Sequence, residues 1–358
     1  MAYGIYVHIP FCVQKCNYCD FLSYEKTSRE VMEQYVNALT NEMRAFLRSR
    51  KSIDTFYIGG GTPTALPVEL LCKILNVFDI SNCEVTVEAN PGTLSHIYLQ
   101  TLITHGVNRL SLGLQTTHAH LLKAINRLHS YEEFLQNYHT AREVGFANIN
   151  VDLMFGLPSQ TLEHWQSTLE EIITIAPEHI SAYSLTPAEN TPLWDALENK
   201  KINLPPVETD RKMYHMAIEL LTKAGYTHYE LSNFAKRGHE SRHNVNCWRR
   251  VPYRAFGLGG HSFDGTKRWR NTEDMAEYLR KPGTQHDIDI LCEADAQAET
   301  MLLGLRLTQG VAETDIPPIF TEIVEAQIKK GLLARHENFV RLTALGLDLA
   351  NQVFAEFV

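Results

Sequence analysis

The feature that most constrains the fold is a repeated alternation of short apolar runs with longer amphipathic stretches. β-rich runs occur at Ile5–Ile9, Thr55–Ile58, Glu84–Glu88, Arg109–Leu114, Asn148–Met154 and His179–Ser184. Between them, Arg29–Arg50 carries Val31, Tyr35, Val36, Leu39, Met43 and Phe46 at helical spacing. Val68–Phe78, Leu94–His105, Leu121–Val144 and Leu162–Ile175 read the same way. Parallel neighbours need a long crossover, so strand–helix alternation predicts a parallel α/β sheet. A right-handed array of this size is either doubly wound or a barrel, complete or partial.

Polar motifs sit where the strands end. Cys12–Cys19 follows the first run and Gly59-Gly60-Gly61-Thr62-Pro63 the second. Glu88-Ala89-Asn90-Pro91 ends the third, Gln115 ends the fourth, and Asp152 lies late in the fifth. In a parallel array the carboxyl ends share one face, so these motifs are expected to form one pocket.

Cys12, Cys16 and Cys19 put three soft ligands in one short loop, which suits iron–sulfur or zinc. Three cysteines fill three corners of a four-iron cluster and leave one iron open to a small molecule, as an open position does in catalytic zinc sites. The spacing also matches a helical core stripe, but Pro10 and the polar residues inside the triplet favour a loop. Zinc would need a fourth ligand, Asp20 or His8, and usually pairs C-x2-C units. The glycine segment lacks the patterns of a phosphate cradle. Alone it reads as a tight turn; beside the cysteines it lets backbone approach a ligand closely. Glu88 is either a solvated strand end or an acceptor for the two hydroxyls of a ribose.

The chain has 358 residues, enough for one large domain with an appendage or for two domains. A net charge of −9 and a pI near 6.0 argue against a general nucleic-acid binder. No apolar run reaches the roughly 20 residues of a membrane span. The amino terminus enters a strand at once, so no signal peptide is expected. The 7 cysteines follow no regular framework, which fits a reducing, cytoplasmic setting. Cys72, Cys83 and Cys292 sit singly among apolar residues and are expected to be buried thiols.

C-x3-C-x2-C with Tyr18 before the last cysteine resembles the radical S-adenosylmethionine (SAM) enzymes. The string Tyr6-Val7-His8-Ile9-Pro10-Phe11-Cys12 resembles the branch that holds oxygen-independent coproporphyrinogen oxidase and the HemW-type haem chaperones. The resemblance implies a partial (β/α)6 barrel of TIM type with a C-terminal winged-helix-like α+β module. It further implies a [4Fe-4S] cluster on Cys12, Cys16 and Cys19. SAM contacts are implied for Tyr6, Gly60, Gly61, Thr62, Glu88, Gln115, Arg127 and Asp152. In this pattern the GGGTP segment bonds the amino group of SAM. Arg127 would neutralise a carboxylate bidentately, and Asp152 would hold a hydroxyl or an ammonium. Each of these residue types, read singly, is more often structural.

After the sixth strand the pattern changes. Loops surround Thr191-Pro192 and Leu204-Pro205-Pro206, Asp210–Ala224 reads as a helix, and Tyr226–Phe234 as a strand. His243-Asn244-Val245-Asn246-Cys247-Trp248 contains two ligand types that bind haem iron, though a packing loop is equally served by it. It resembles the H-N-x-x-Y-W string of HemW-type chaperones, with Cys247 in place of Tyr. His243 and Cys247 are therefore rival haem ligands. The Gly257–Gly260 stretch with His261 is implied to close the SAM site. Beyond Glu293, Ala298–Leu307 and Pro318–Lys330 read as helices, followed by a hairpin around His336-Glu337-Asn338 and a closing helix, Ala344–Phe357. Without a basic stripe, this module reads as an accessory cap rather than a DNA reader. Residues 1–285 and 286–358 are the expected domains.

Within the resembled branch, the oxidase carries a further cysteine two residues after the third, where this chain has Phe21. The oxidase also has an arm before its first strand, and here the strand opens the chain. Both differences favour a haem chaperone that delivers haem to acceptor haemoproteins, respiratory ones among them, over coproporphyrinogen III decarboxylation. Peripheral membrane contact is compatible with that role. A zinc-stabilised barrel without redox chemistry is the third reading, and no oligomeric interface is legible.

Overall fold

The computed structural model describes residues 3–46 and 52–358. Six parallel strands lie side by side in chain order: β1 (Gly4–Ile9), β2 (Thr55–Gly60), β3 (Glu84–Ala89), β4 (Arg109–Gln115), β5 (Ile149–Phe155) and β6 (His179–Ser184). The crossovers are α1 (Arg29–Phe46), α2 (Val68–Leu75), α3 (His96–Thr104), α4 (Ala119–Ala124) with α5 (Tyr131–Glu143), and α6 (Leu162–Ile175). The last residues expected in α1, 47–50, lie outside the described residues.

The strands alternate in a way that the sequence pattern only half displayed. One set, including Ile5, Val7, Phe56, Ile58, Val85, Val87, Leu110, Leu112, Val151 and Ile180, is fully buried in the main core with the helices. The other set is polar and faces the barrel interior. Register places Tyr6 beside Tyr57, Glu88 beside Ser111, Ser111 beside Asn150, and Asn150 beside His179. Parallel strands covered on both faces usually read as continuous apolar runs. These do not, because their inner face is a hydrogen-bonded network and buried polar groups must be paired. Asn150 donates to Ser111 Oγ at 2.7 Å and to Asp152 Oδ1 at 2.8 Å, and its Oδ1 meets His179 Nδ1 at 2.5 Å.

Two further helices, α7 (Pro192–Glu198) and α8 (Val207–Lys223), follow β6. The strand expected over Tyr226–Phe234 is instead a hairpin, β7 (Thr227–Glu230) and β8 (Asn233–Ala235), with β8 antiparallel to β6. Its tight turn is held by Glu230 Oε1, which accepts from Ser232 N at 3.1 Å and from Asn233 Nδ2. The short helix α9 (Arg242–Trp248) leads to β9 (Tyr253–Phe256), which pairs in parallel with β1. β10 (His261–Phe263), β11 (Lys267–Asn271) and β12 (Gln285–Ile290) extend that edge antiparallel.

Because β12 pairs with β11, the helices of the terminal module begin only at Glu293, with Glu293–Gly304 and Thr321–Lys329. A three-stranded sheet of Val311–Ala312, Leu333–His336 and Phe339–Leu342 forms the wing. Met301, Leu305, Val324, Leu333, Val340, Val353 and Phe357 give this module a core of its own. The closing helix is two short pieces, Ala344–Asp348 and Ala350–Ala355. Cys72 and Cys83 are buried as expected, but Cys292 is exposed, since it caps the first helix of the module outside either core.

Candidate functional site

The cysteine loop crosses the carboxyl end of the barrel and is tied down from two sides. Asn17 Nδ2 donates to Ala124 O at 2.8 Å, and Asn17 O accepts from Leu193 N at 2.9 Å. Gln14 Nε2 donates to Asn126 Oδ1 at 2.8 Å, and Asn126 Nδ2 returns a bond to Lys15 O at 2.9 Å. Tyr18 packs on a small apolar cluster of Leu121, Ile125, Met154, Leu185 and Leu193. Asn126, with φ of 62°, ends α4 in the left-handed region that Asn tolerates better than most residues.

Leu121–Val144 is therefore not one helix. It breaks after α4, and Ser130 restarts it as the N-cap of α5 with a reciprocal box to Glu133. The break is what puts Arg127 into the site. Its Nη2 donates to Asn90 Oδ1 at 2.7 Å and to Gly113 O, and its Nη1 points to Cys16 Sγ at 3.5 Å. Those bonds already occupy the fork expected to grip a carboxylate, while the buried Nε has no partner. Asn90, which the sequence showed only as part of a motif, is the hinge of this arrangement and also donates to Thr62 Oγ1 at 2.8 Å.

A cavity of about 330 Å³ lies under the loop. Cys12, Cys16, Cys19, Gly60, Gly61, Thr62, Glu88, Gln115, Arg127 and Asp152 all line it, so the shared face inferred from strand ends is realised. Glu88 accepts from Tyr57 Oη at 2.7 Å and from Gly60 N at 3.2 Å. Burial, with Asp152 nearby, raises its carboxyl to about 7, against the pull of those two bonds. Gln115 sits at φ of 75° where the β4–β5 register shifts, a conformation costly for a non-glycine residue, and Tyr183 Oη holds its Oε1 at 3.0 Å. Asp152 accepts from Ser111 Oγ at 3.1 Å as well as from Asn150. Gly61 cannot be larger: a Cβ there would stand 2.8 Å from Phe11 O and 3.0 Å from Cys12 Sγ.

Three expected members lie apart from the cavity lining. Tyr6 sits one layer below, stacked on Tyr57 with centroids 6.2 Å apart and its hydroxyl 3.1 Å from His8 Nδ1. His243 and Cys247 are on α9, at the opposite, amino-terminal end of the strands. His243 is buried, with Nδ1 2.8 Å from Thr55 Oγ1 at the start of β2. The Gly257–Gly260 stretch does not line the cavity either. It packs behind β1, where a Cβ at Gly257 would meet His8 O at 2.6 Å, and His261 is exposed.

The Radical SAM superfamily description matches residues 6–172. The heme chaperone HemW of Bacillus subtilis is 36% identical over 99% of this chain and 98% of that protein. The chain belongs to the HemW family. HemW of Lactococcus lactis is 33% identical over 99% of the chain and 96% of its own length. Among solved structures, the coproporphyrinogen III oxidase HemN of Escherichia coli superposes with a TM-score of 0.84 at 23% identity, over 99% of this chain and 89% of that one. The fold expected from the sequence, a partial (β/α)6 barrel with an appended module, is the one observed.

The Radical SAM match implies a [4Fe-4S] cluster and SAM beside these residues. They fit. Burial first, then the neighbouring thiols, push Cys19 up to about 11, and burial likewise raises Cys12. Thiols so placed ionise only against a bound cation, which is how ligand deprotonation couples to metal uptake. Among the described residues no three His, Cys, Asp or Glu side chains converge on a single ion. His8, a rival zinc ligand, has both ring nitrogens engaged, by Tyr6 Oη and Leu22 O. The glycine loop, the acceptors at Glu88 and Asp152 and the unpartnered Arg127 Nε form a polar cradle beside the thiols. When bound, cluster and SAM would supply one-electron chemistry; the cysteine loop and the polar cradle would hold and orient them.

Proposed function

We propose that the protein is a haem chaperone that holds a [4Fe-4S] cluster on Cys12, Cys16 and Cys19 and SAM in the adjoining cavity, and passes haem to acceptor haemoproteins. Full-length likeness to proteins named heme chaperone carries this reading. Phe21, 61% exposed where the oxidase pattern has a cysteine, supports it over decarboxylation. No helix of the described residues is long and apolar enough to cross a membrane, and a cytoplasmic location is proposed with haemoproteins as partners.

SAM is assigned to Gly60, Gly61, Thr62, Glu88, Gln115, Arg127 and Asp152, with Tyr6 supporting from below. Of the two candidate haem ligands, Cys247 is the one whose side chain has no hydrogen-bond partner among the described residues, and it is half-buried on α9. Haem iron is assigned to it. Burial raises its thiol to about 11, so ligation, like cluster assembly, would have to displace a proton. Two titrations test the assignment. Cys16→Ser should lose cluster iron and acid-labile sulfide after anaerobic reconstitution, and full retention would refute the cluster ligands. Haem should produce a Soret shift that weakens in Cys247→Ala; an unchanged shift would move the haem elsewhere.

A further inference from the structure

Backbone and side-chain donors on α9 bond to the floor beneath β2 and β3. Glu84 at the start of β3 accepts from Arg242 N and His243 N, each at 3.0 Å. Asn246 Nδ2 donates to Asp54 Oδ2 at 2.8 Å, and Arg242 pairs with the same carboxylate. Ser241 Oγ caps the helix by accepting from Asn244 N. His243 is thereby pressed up into the barrel, where its ring stacks on Tyr57 with centroids 5.0 Å apart and planes 29° from parallel. Burial holds the imidazole near 4, with Arg109 adding to the effect, so it is neutral at physiological pH and packs as an aromatic. Tyr57 in turn stacks on Tyr6 and donates its hydroxyl to Glu88 Oε1 at 2.7 Å.

We propose that His243 is a positioning residue rather than a haem ligand, fixing Tyr57 by stacking so that the Tyr57 hydroxyl holds Glu88 in its SAM-binding orientation. The inference rests on the assignment of Glu88 to SAM. Two adjacent faces of one column transmit it: the ring of His243 sets the tilt of Tyr57, and the Tyr57 hydroxyl, by holding Oε1, sets the direction in which the remaining carboxylate lone pairs face SAM. Gly60 N fixes the other oxygen at 3.2 Å. A Cβ at Gly59 would stand 2.8 Å from Glu88 Oε2, so the carboxylate fits only against bare backbone and tolerates little displacement.

The test uses the full chain with its cluster reconstituted, and measures SAM affinity calorimetrically and haem affinity from the Soret band. His243→Ala should weaken SAM about tenfold, equal to about 1.4 kcal/mol, and leave haem affinity unchanged. His243→Phe keeps a ring on Tyr57 but cannot ligate iron, and should restore SAM affinity to within about threefold of the parent. Tyr57→Phe should weaken SAM to a similar extent, and the combined Tyr57→Phe, His243→Ala variant should be no worse than either alone, because they act in one chain. Tyr57→Phe should also move the pH midpoint of SAM binding upward, since the lost bond favours the Glu88 carboxylate. Asp152 and Arg109, the other charges facing Glu88, are unchanged in that variant. Loss of haem binding in both His243 variants with SAM affinity intact would overturn the proposal. Glu88→Gln separates the premises: if it leaves SAM affinity unaltered, the SAM assignment fails. If it weakens SAM while the Tyr57 and His243 variants do not, the positioning role fails.

Discussion

Glu88 is the residue on which the proposed SAM site turns. Its carboxyl is raised to about 7 by burial, against an ordinary value near 4.5. A raised carboxyl favours the protonated form in the fold. The apo protein should therefore lose stability as pH climbs from about 4.5 to about 7, and the loss should be smaller in Glu88→Gln. The protonated acid also presents fewer acceptors to a hydroxylated ligand. SAM affinity should accordingly rise through about pH 7 and then level off, and Glu88→Gln should flatten that curve. A parent profile without inflection between pH 6 and 8 would contradict the assignment. Most site residues were legible as residues, because cysteine spacing and strand-end polarity survive without coordinates. Asn90 and Tyr57 were not. Both act on other side chains, across strands, and no local spacing announces such a contact.

The elements were legible where periodicity was strong and misread where a short irregularity broke the pattern. β6 and α6 fall where the alternation puts them, at His179–Ser184 and Leu162–Ile175. The helix read over Leu121–Val144 concealed its break, since the apolar positions on either side keep helical spacing. The signal available was Ser130-x-x-Glu133, a capping box in mid-pattern. Ser130→Ala should lower stability by about 1 kcal/mol, visible as a small fall in Tm. SAM affinity should fall with it, because the start of α5 anchors the segment that carries Arg127. Unaltered Tm and affinity would mean that the break is held by the cysteine loop alone. The hairpin of β7 and β8 was missed for a related reason: Leu231 and Ser232 look like strand, and only the Glu230–Asn233 pairing shows the turn.

At the scale of the molecule, one sheet has its candidate cofactor site at one end and a short capping helix at the other. Cluster loop, glycine loop and acids share the carboxyl ends of the strands, while α9 closes the amino ends. The sequence separated these motifs along the chain without saying that they face opposite ways, since strand direction was known but the return path after β6 was not. The terminal module, with its own core beyond Glu293, follows a strand, β12, that the expected boundary between 285 and 286 cuts. The decisive question is whether this arrangement carries haem or decarboxylates a porphyrinogen. The direct test supplies the reconstituted protein anaerobically with SAM, reductant and coproporphyrinogen III, and analyses the tetrapyrrole products beside a haem titration. A haem chaperone should give a saturable Soret shift with haem and leave coproporphyrinogen unchanged. Sustained turnover to a decarboxylated product, with no haem binding, would contradict that function.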